Sequence, residues 1–158
     1  MSRMDDEACI RRALTLAEEN LASGGGPFGA VIVKEGNIIA EGVNRVTAAN
    51  DPTAHAEVIA IRNASAFLGT FDLSGCTIYT SCEPCPMCLG AIYWARLDAV
   101  FYSGSREDAG NAGFDDKHIY EEFEKEPGKR ELSMHRILPQ KAKGVFRKWI
   151  DMENKTSY

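Results

Sequence analysis

The triplet His55-Ala56-Glu57 and the run Pro84-Cys85-Pro86-Met87-Cys88 constrain this chain more than any other feature, because together they supply three metal ligands and a spare carboxylate. A fold that uses them must bring two separate stretches to one point. Imidazole nitrogen and thiolate sulfur are donors that zinc takes, and a catalytic zinc keeps three protein ligands so that water can hold the fourth position. His55, Cys85 and Cys88 are the candidate ligands for one zinc ion per chain. Coordination lowers the pKa of that water from about 16 to about 7, and Glu57 is the candidate catalytic carboxylate that takes and returns its proton.

A second use of the same residues is open, because Cys82 makes two overlapping C-x-x-C pairs with Cys85 and Cys88. Cys82, Cys85, Cys88 and His55 could close a Cys₃His structural zinc site, leaving no position for water and making Glu57 a solvated helix carboxylate. Such a site requires neither a glutamate two residues after the histidine nor a proline before the second cysteine, which favours the open arrangement. A redox reading of C-x-x-C leaves His55 and Glu57 without a role. Alone, His55 would read as a capping or core histidine; the cysteine cluster makes it a ligand.

Composition narrows the substrate. The 158 residues suit a single domain with a substantial core, and 44% apolar against 26% charged residues describes an ordinary soluble protein with no span long enough for a membrane. The N-terminal stretch Met1-Ser2-Arg3-Met4-Asp5-Asp6-Glu7 lacks the apolar core of a secretory signal, so a cytoplasmic location is expected. Five cysteines, three of them clustered, fit metal chemistry in a reducing compartment, with Cys9 and Cys76 as buried thiols. A net charge of −5 makes a poor polyanion binder. Lys141, Lys143, Arg147 and Lys148 do gather, but Glu131, Asp151 and Glu153 flank them, so a solvated helix face is expected and a small neutral substrate favoured over nucleic acid.

Ile10, Leu14, Ala17 and Leu21 form one apolar helical stripe, with Asp5 or Asp6 as its cap. Ser23-Gly24-Gly25-Gly26-Pro27 ends that helix and is no phosphate loop, since no Gly-Lys-Ser/Thr follows. Residues 28–34 and 38–43 read as a hairpin around Glu35-Gly36-Asn37. A helix from residues 51–53 to Leu68 puts His55 and Glu57 in its first turn. Residues 76–80 make a strand, Pro86 starts a helix beside Cys85 and Cys88, and residues 99–103 return as a parallel strand. Helix N-termini favour the ionised forms of Glu57 and of the thiolates. Beyond Gly104 the reading is a loop over 108–113, a helix over 117–125, a short strand over 134–138 and a last helix over 142–152. His118 and His135 have no ligand-spaced partners and read as structural.

The pattern H-x-E followed by P-C-x-x-C is that of zinc-dependent nucleobase deaminases. With residues 26–33, Asn44, residues 51–57 and residues 81–88, the chain resembles the cytidine deaminase-like superfamily over nearly its full length. The resemblance implies a three-layer α/β/α sandwich around a five-stranded mixed sheet. Gly113-Phe114-Asp115-Asp116 and the terminal Tyr158 are similar to segments of the compact bacterial guanine deaminases, which close the pocket by exchanging C-terminal segments between two subunits. What this implies is a homodimer acting on a small purine base, with a segment of about residues 140–158 exchanged. It further implies that His55, Cys85 and Cys88 hold zinc, that Glu57 carries a proton to the purine, and that Asp116 accepts from the base or moves a second proton. Asn44 would hydrogen-bond the purine edge, Phe28 would supply a stacking face, and Tyr158 would seal the pocket. Each has a plainer reading: Phe28 as core, Asn44 as a turn residue, Asp116 as a helix cap, Tyr158 as a frayed end. Tyr93 and Trp94 fit a subunit interface as well as a pocket. Guanosine or another nucleoside or tRNA base stays open as substrate, as does the non-catalytic Cys₃His domain.

Overall fold

A computed structural model describes residues 5–158. The first four residues of the acidic N-terminal stretch lie outside the described residues. The described chain falls into two compact units, one ending at Lys117 and the other His118–Tyr158.

The first unit is built on a sheet whose central strand explains the rest. Strand β1 (Gly29–Lys34) is apolar along nearly its whole length because both of its faces are covered. Ala30 and Ile32 point to one side, joining Ala56, Ala60, Ala64, Ile78 and Ile92. Val31 and Val33 point to the other, against Cys9, Leu16 and Tyr79. Helix α1 (Asp6–Ala22), capped by the Asp5 side chain on the Ala8 amide, therefore covers one face. Helices α3 (Ala56–Leu68) and α4 (Pro86–Trp94) cover the other. Arg12 on α1 reaches both oxygens of Glu41 on β2 (Asn37–Val43), at 2.7 and 2.8 Å.

The order across the sheet is β2-β1-β3-β4, with β3 at Cys76–Cys82 and β4 at Ala99–Gly104. Strand β1 runs antiparallel to both β2 and β3, whereas β3 and β4 are parallel, so α4 is the crossover of a β-α-β unit. The hairpin turn has positive φ at both Glu35 (52°) and Gly36 (80°), the geometry that matches strand twist. Gly42 serves packing instead. A Cβ there would run into the Ala56 carbonyl oxygen and the Ala60 amide, so its absence lets α3 lie directly on β2. A short helix α2 (Val46–Ala49), which the sequence pattern does not announce, follows the hairpin.

Four expectations need correction. The described residues form a four-stranded sheet, not a five-stranded one. Residues 134–138 make no ladder: Ile137 and Leu138 are exposed, and Leu138 takes φ 55° before Pro139 opens helix α7 (Pro139–Asp151). A strand's residue pattern becomes a strand only where it pairs with the edge of another. Residues 108–113 are no simple loop either, since helix α5 (Arg106–Asn111) starts from a capping box between Ser105 and Asp108. Helix α3 begins at Ala56 with His55 as its cap, later than a start at 51–53 would place it.

The His118–Tyr158 unit contains most of helix α6 (Lys117–Glu124), a 3₁₀ turn (Pro127–Lys129) and α7. Glu122 organises it: one carboxylate oxygen takes the Lys125 ammonium and the other the Glu131 amide at 2.9 Å. His118, expected to be structural, has its imidazole 3.4 Å from Glu131 and close to Glu122. With Lys125 already on Glu122, the cluster is an ion-pair network. No helix among the described residues is long and apolar enough to cross a membrane.

Candidate active site

The ends of the strands converge at one edge of the sheet. There β1 begins, β2 ends, and β3 and β4 end, the place where a parallel unit leaves its crevice. A turn delivers His55 to this edge: Asp51 accepts from the Thr53 amide at 2.8 Å and hydroxyl at 2.7 Å, and the His55 amide donates to the Thr53 carbonyl. The Arg45 amide donates to the Ala54 carbonyl at 2.9 Å, stitching the end of β2 to the same turn. Cys85 caps α4 with Pro86 in the first turn, and Cys88 follows one turn on, fully buried.

The result is a tight donor set. His55 Nδ1 lies 3.5 Å from both Cys85 Sγ and Cys88 Sγ, and all three ligand atoms fall within 4.8 Å of one another. Glu57 is buried beside them, its Oε2 accepting from Cys88 Sγ at 3.4 Å. The Cys88 thiol is the main influence holding the Cys85 thiol down at about 4, helped by His55 and the Cys88 amide against the effect of burial. Cys88 is pushed far up by that same pairing, by burial and by Glu57. Two sulfurs thus face one imidazole, and a divalent cation bound by the three would displace their protons. Nitrogen and two sulfurs at this spacing fit zinc. Burial raises the Glu57 carboxyl, and the Cys85 partner raises His55.

Cys82 stays out of the set. Its thiol donates to the Ser105 carbonyl at 3.6 Å, and burial, then the Glu57 charge, push it up to about 11. The Cys₃His closure therefore does not form among the described residues. Cys9 and Cys76 are buried free thiols, as expected.

Two of the expected substrate contacts are neighbours: the Asn44 amide donates to the Phe28 carbonyl at 3.2 Å at the open end of the hairpin. Asn44 Oδ1 accepts from the Val46 amide at 3.2 Å, which is a turn role. Phe28 meets Phe114 edge-on, ring centroids 5.0 Å apart. Asp116 is half-buried and lines a pocket with Glu83, Ser105, Arg106 and Asn111. Burial, then the charge of Cys85, raises its carboxyl. Tyr158 belongs to the other unit and is 71% exposed there. Sequence reasoning gave no individual role to Phe114, Glu83 or Arg106. Only the Ser105-x-x-Asp108 box signalled that the segment following β4 is ordered.

Hydrolysis at a zinc ion is the chemistry for which this edge of the sheet is equipped, with a buried carboxylate free to carry protons. The chain belongs to the family of the cytidine and deoxycytidylate deaminase zinc-binding region, which matches residues 3–104. Guanine deaminase of Bacillus subtilis (strain 168) is 54% identical over 156 residues, 98% of this chain and 100% of that protein. The X-ray structure of guanine deaminase from Bacillus subtilis superposes with a TM-score of 0.95 at 54% identity, covering 98% of this chain and 99% of that one. The tRNA-specific adenosine deaminase of Haemophilus influenzae is 42% identical over 109 residues, 68% of this chain and 63% of that protein.

Proposed function

We propose that this protein hydrolyses guanine to xanthine and ammonia. What carries the choice of guanine is the likeness to a guanine deaminase that runs through 98% of the chain, whereas the likeness to a tRNA deaminase spans 68%. The net charge of −5 also disfavours a polynucleotide substrate.

His55, Cys85 and Cys88 would hold the zinc ion, which supplies a Lewis acid that makes water a competent nucleophile near neutral pH. Glu57, whose burial strengthens its hold on a proton, takes one from the attacking water at its free carboxylate and returns it to the purine ring, while the proton left on the added hydroxyl passes to the amino nitrogen, which departs as ammonia. The Asn44 NH₂ donates to the purine edge, and Phe28, braced by Phe114, presents a ring face. Asp116 accepts from a ring N–H or moves the second proton. Water enters and ammonia leaves, so the exchange at C2 balances.

The C-terminal segment from about residue 140 is exchanged between the subunits of a homodimer, with Tyr158 closing the partner's pocket. What supports this is the C-terminal unit taken by itself: Val145, Phe146 and Ile150 of α7 are all exposed, more apolar surface than a solvated helix carries. A cytoplasmic location in purine breakdown fits the free thiols.

Ammonia release measured over guanine, guanosine, cytosine, cytidine, adenine and a tRNA stem-loop tests the assignment. Guanine is expected to have the highest kcat/KM; a higher value for any of the others would displace it.

A further inference from the structure

Glu83 sits two residues before the ligand Cys85, yet its side chain turns away from the donor set towards α5. Its Oε2 accepts from the Arg106 backbone amide at 3.1 Å, and its Oε1 lies 3.4 Å from Arg106 Nε. Its own amide donates to the Gly104 carbonyl at 2.7 Å, and the neighbouring Cys82 thiol donates to the Ser105 carbonyl. One carboxylate thus grips both the main chain and the side chain of the first residue of α5.

What α5 carries gives that grip a purpose. The Ser105–Asp108 capping box makes its first turn rigid, and the Phe114 amide donates to the Ala109 carbonyl at 2.9 Å, so the segment after the helix moves with it. Phe114 braces Phe28, and Asp115 caps the Lys117 amide at 2.9 Å, leaving Asp116 between two fixed points. Asp116 shares its pocket wall with Glu83 and Arg106. The Arg106 charge also opposes the upward pull of burial on the Asp116 carboxyl.

The geometry points to Glu83 as a positioning residue: through Arg106 and α5 it locks the segment that holds Asp116 to the loop that holds Cys85. This rests on the reading of Asp116 as part of the guanine site. Glu83 touches neither the metal ligands nor the base; it sets the distance between a ligand and a proton-carrying carboxylate. Misplacement of such a group by about an ångström is enough to cost up to about a hundredfold in rate.

The test is a double-mutant cycle on the full-length, zinc-loaded protein: Glu83→Gln, Asp116→Asn and the double variant, with Arg106→Gln run through the same cycle as the second approach should Glu83→Gln fail to fold. Zinc content and guanine kcat and KM are measured for each. Glu83→Gln and Arg106→Gln are expected to keep the parent's zinc and lower kcat by about tenfold to about a hundredfold with little change in KM. Placed on Asp116→Asn, either should change kcat by less than about twofold, because the group they position is already gone. Full loss persisting in the double variants, or zinc lost from Glu83→Gln, would overturn the proposal, since Glu83 would then act on the ligand loop. A loss in Asp116→Asn with none in Glu83→Gln and Arg106→Gln overturns it alone. Unchanged guanine turnover in Asp116→Asn overturns the site reading and the proposal together.

Discussion

Cys88 and Glu57 meet in the interior, sulfur to carboxylate oxygen at 3.4 Å, so that one residue of the donor set touches a carboxylate buried beside it. Glu57 is thereby at the ligands without being one of them. Burial raises its carboxyl, which suits a group that must both take and return a proton.

Glu57→Gln keeps the shape and removes the proton carrier. Zinc content is expected to stay near one per chain while guanine turnover falls by about a thousandfold, within the range of general acid–base catalysis. Metal analysis and ammonia release check the two halves separately; activity within about tenfold of the parent would exclude the role.

Cys82→Ser and Cys85→Ser part company if the donor set is His55, Cys85 and Cys88. The first replaces a thiol that donates to Ser105 and should keep zinc and most activity. Cys85→Ser and Cys88→Ser should lose both, because each removes a ligand from a set of three. Equal zinc loss in all three variants would restore the four-ligand structural site.

Gly42→Ala puts a methyl group into the backbone of α3 at Ala56 and Ala60. Overpacking of this kind costs about 1–3 kcal/mol, read as a lower midpoint in denaturant at unchanged slope. Because Ala56 follows His55, zinc affinity is expected to fall as well. A variant as stable as the parent would mean that the helix can slide on the strand.

Removing residues 154–158 takes away Tyr158 and leaves α7 whole. With the segment exchanged as proposed, guanine kcat/KM drops by about tenfold or more while zinc remains, because an unsealed pocket admits bulk water. Unchanged kinetics would make the tail a solvated end.

What the sequence alone determined is the chemistry of the ligands and the local form of the elements around them. Zinc demands particular donor types, and helix starts demand particular caps, so His55, Cys85, Cys88, the Asp5 cap and the Pro86 turn were legible at short range. The hairpin and the parallel β3–β4 pair followed from alternation and from a helix between two apolar runs. Only tertiary structure decided that Cys82 turns away from the other three donors. It ends β3 opposite Gly104, and that register turns its thiol to Ser105. Nor could local pattern find the Glu83–Arg106 pair, which depends on two strand ends lying side by side. The apolar residues at 134–138 resembled a strand, but a ladder needs an edge to pair with, and whether one is available is not encoded in the segment itself. Residue type and spacing fix what a side chain can do; only the packing of distant strands decides which neighbour it meets.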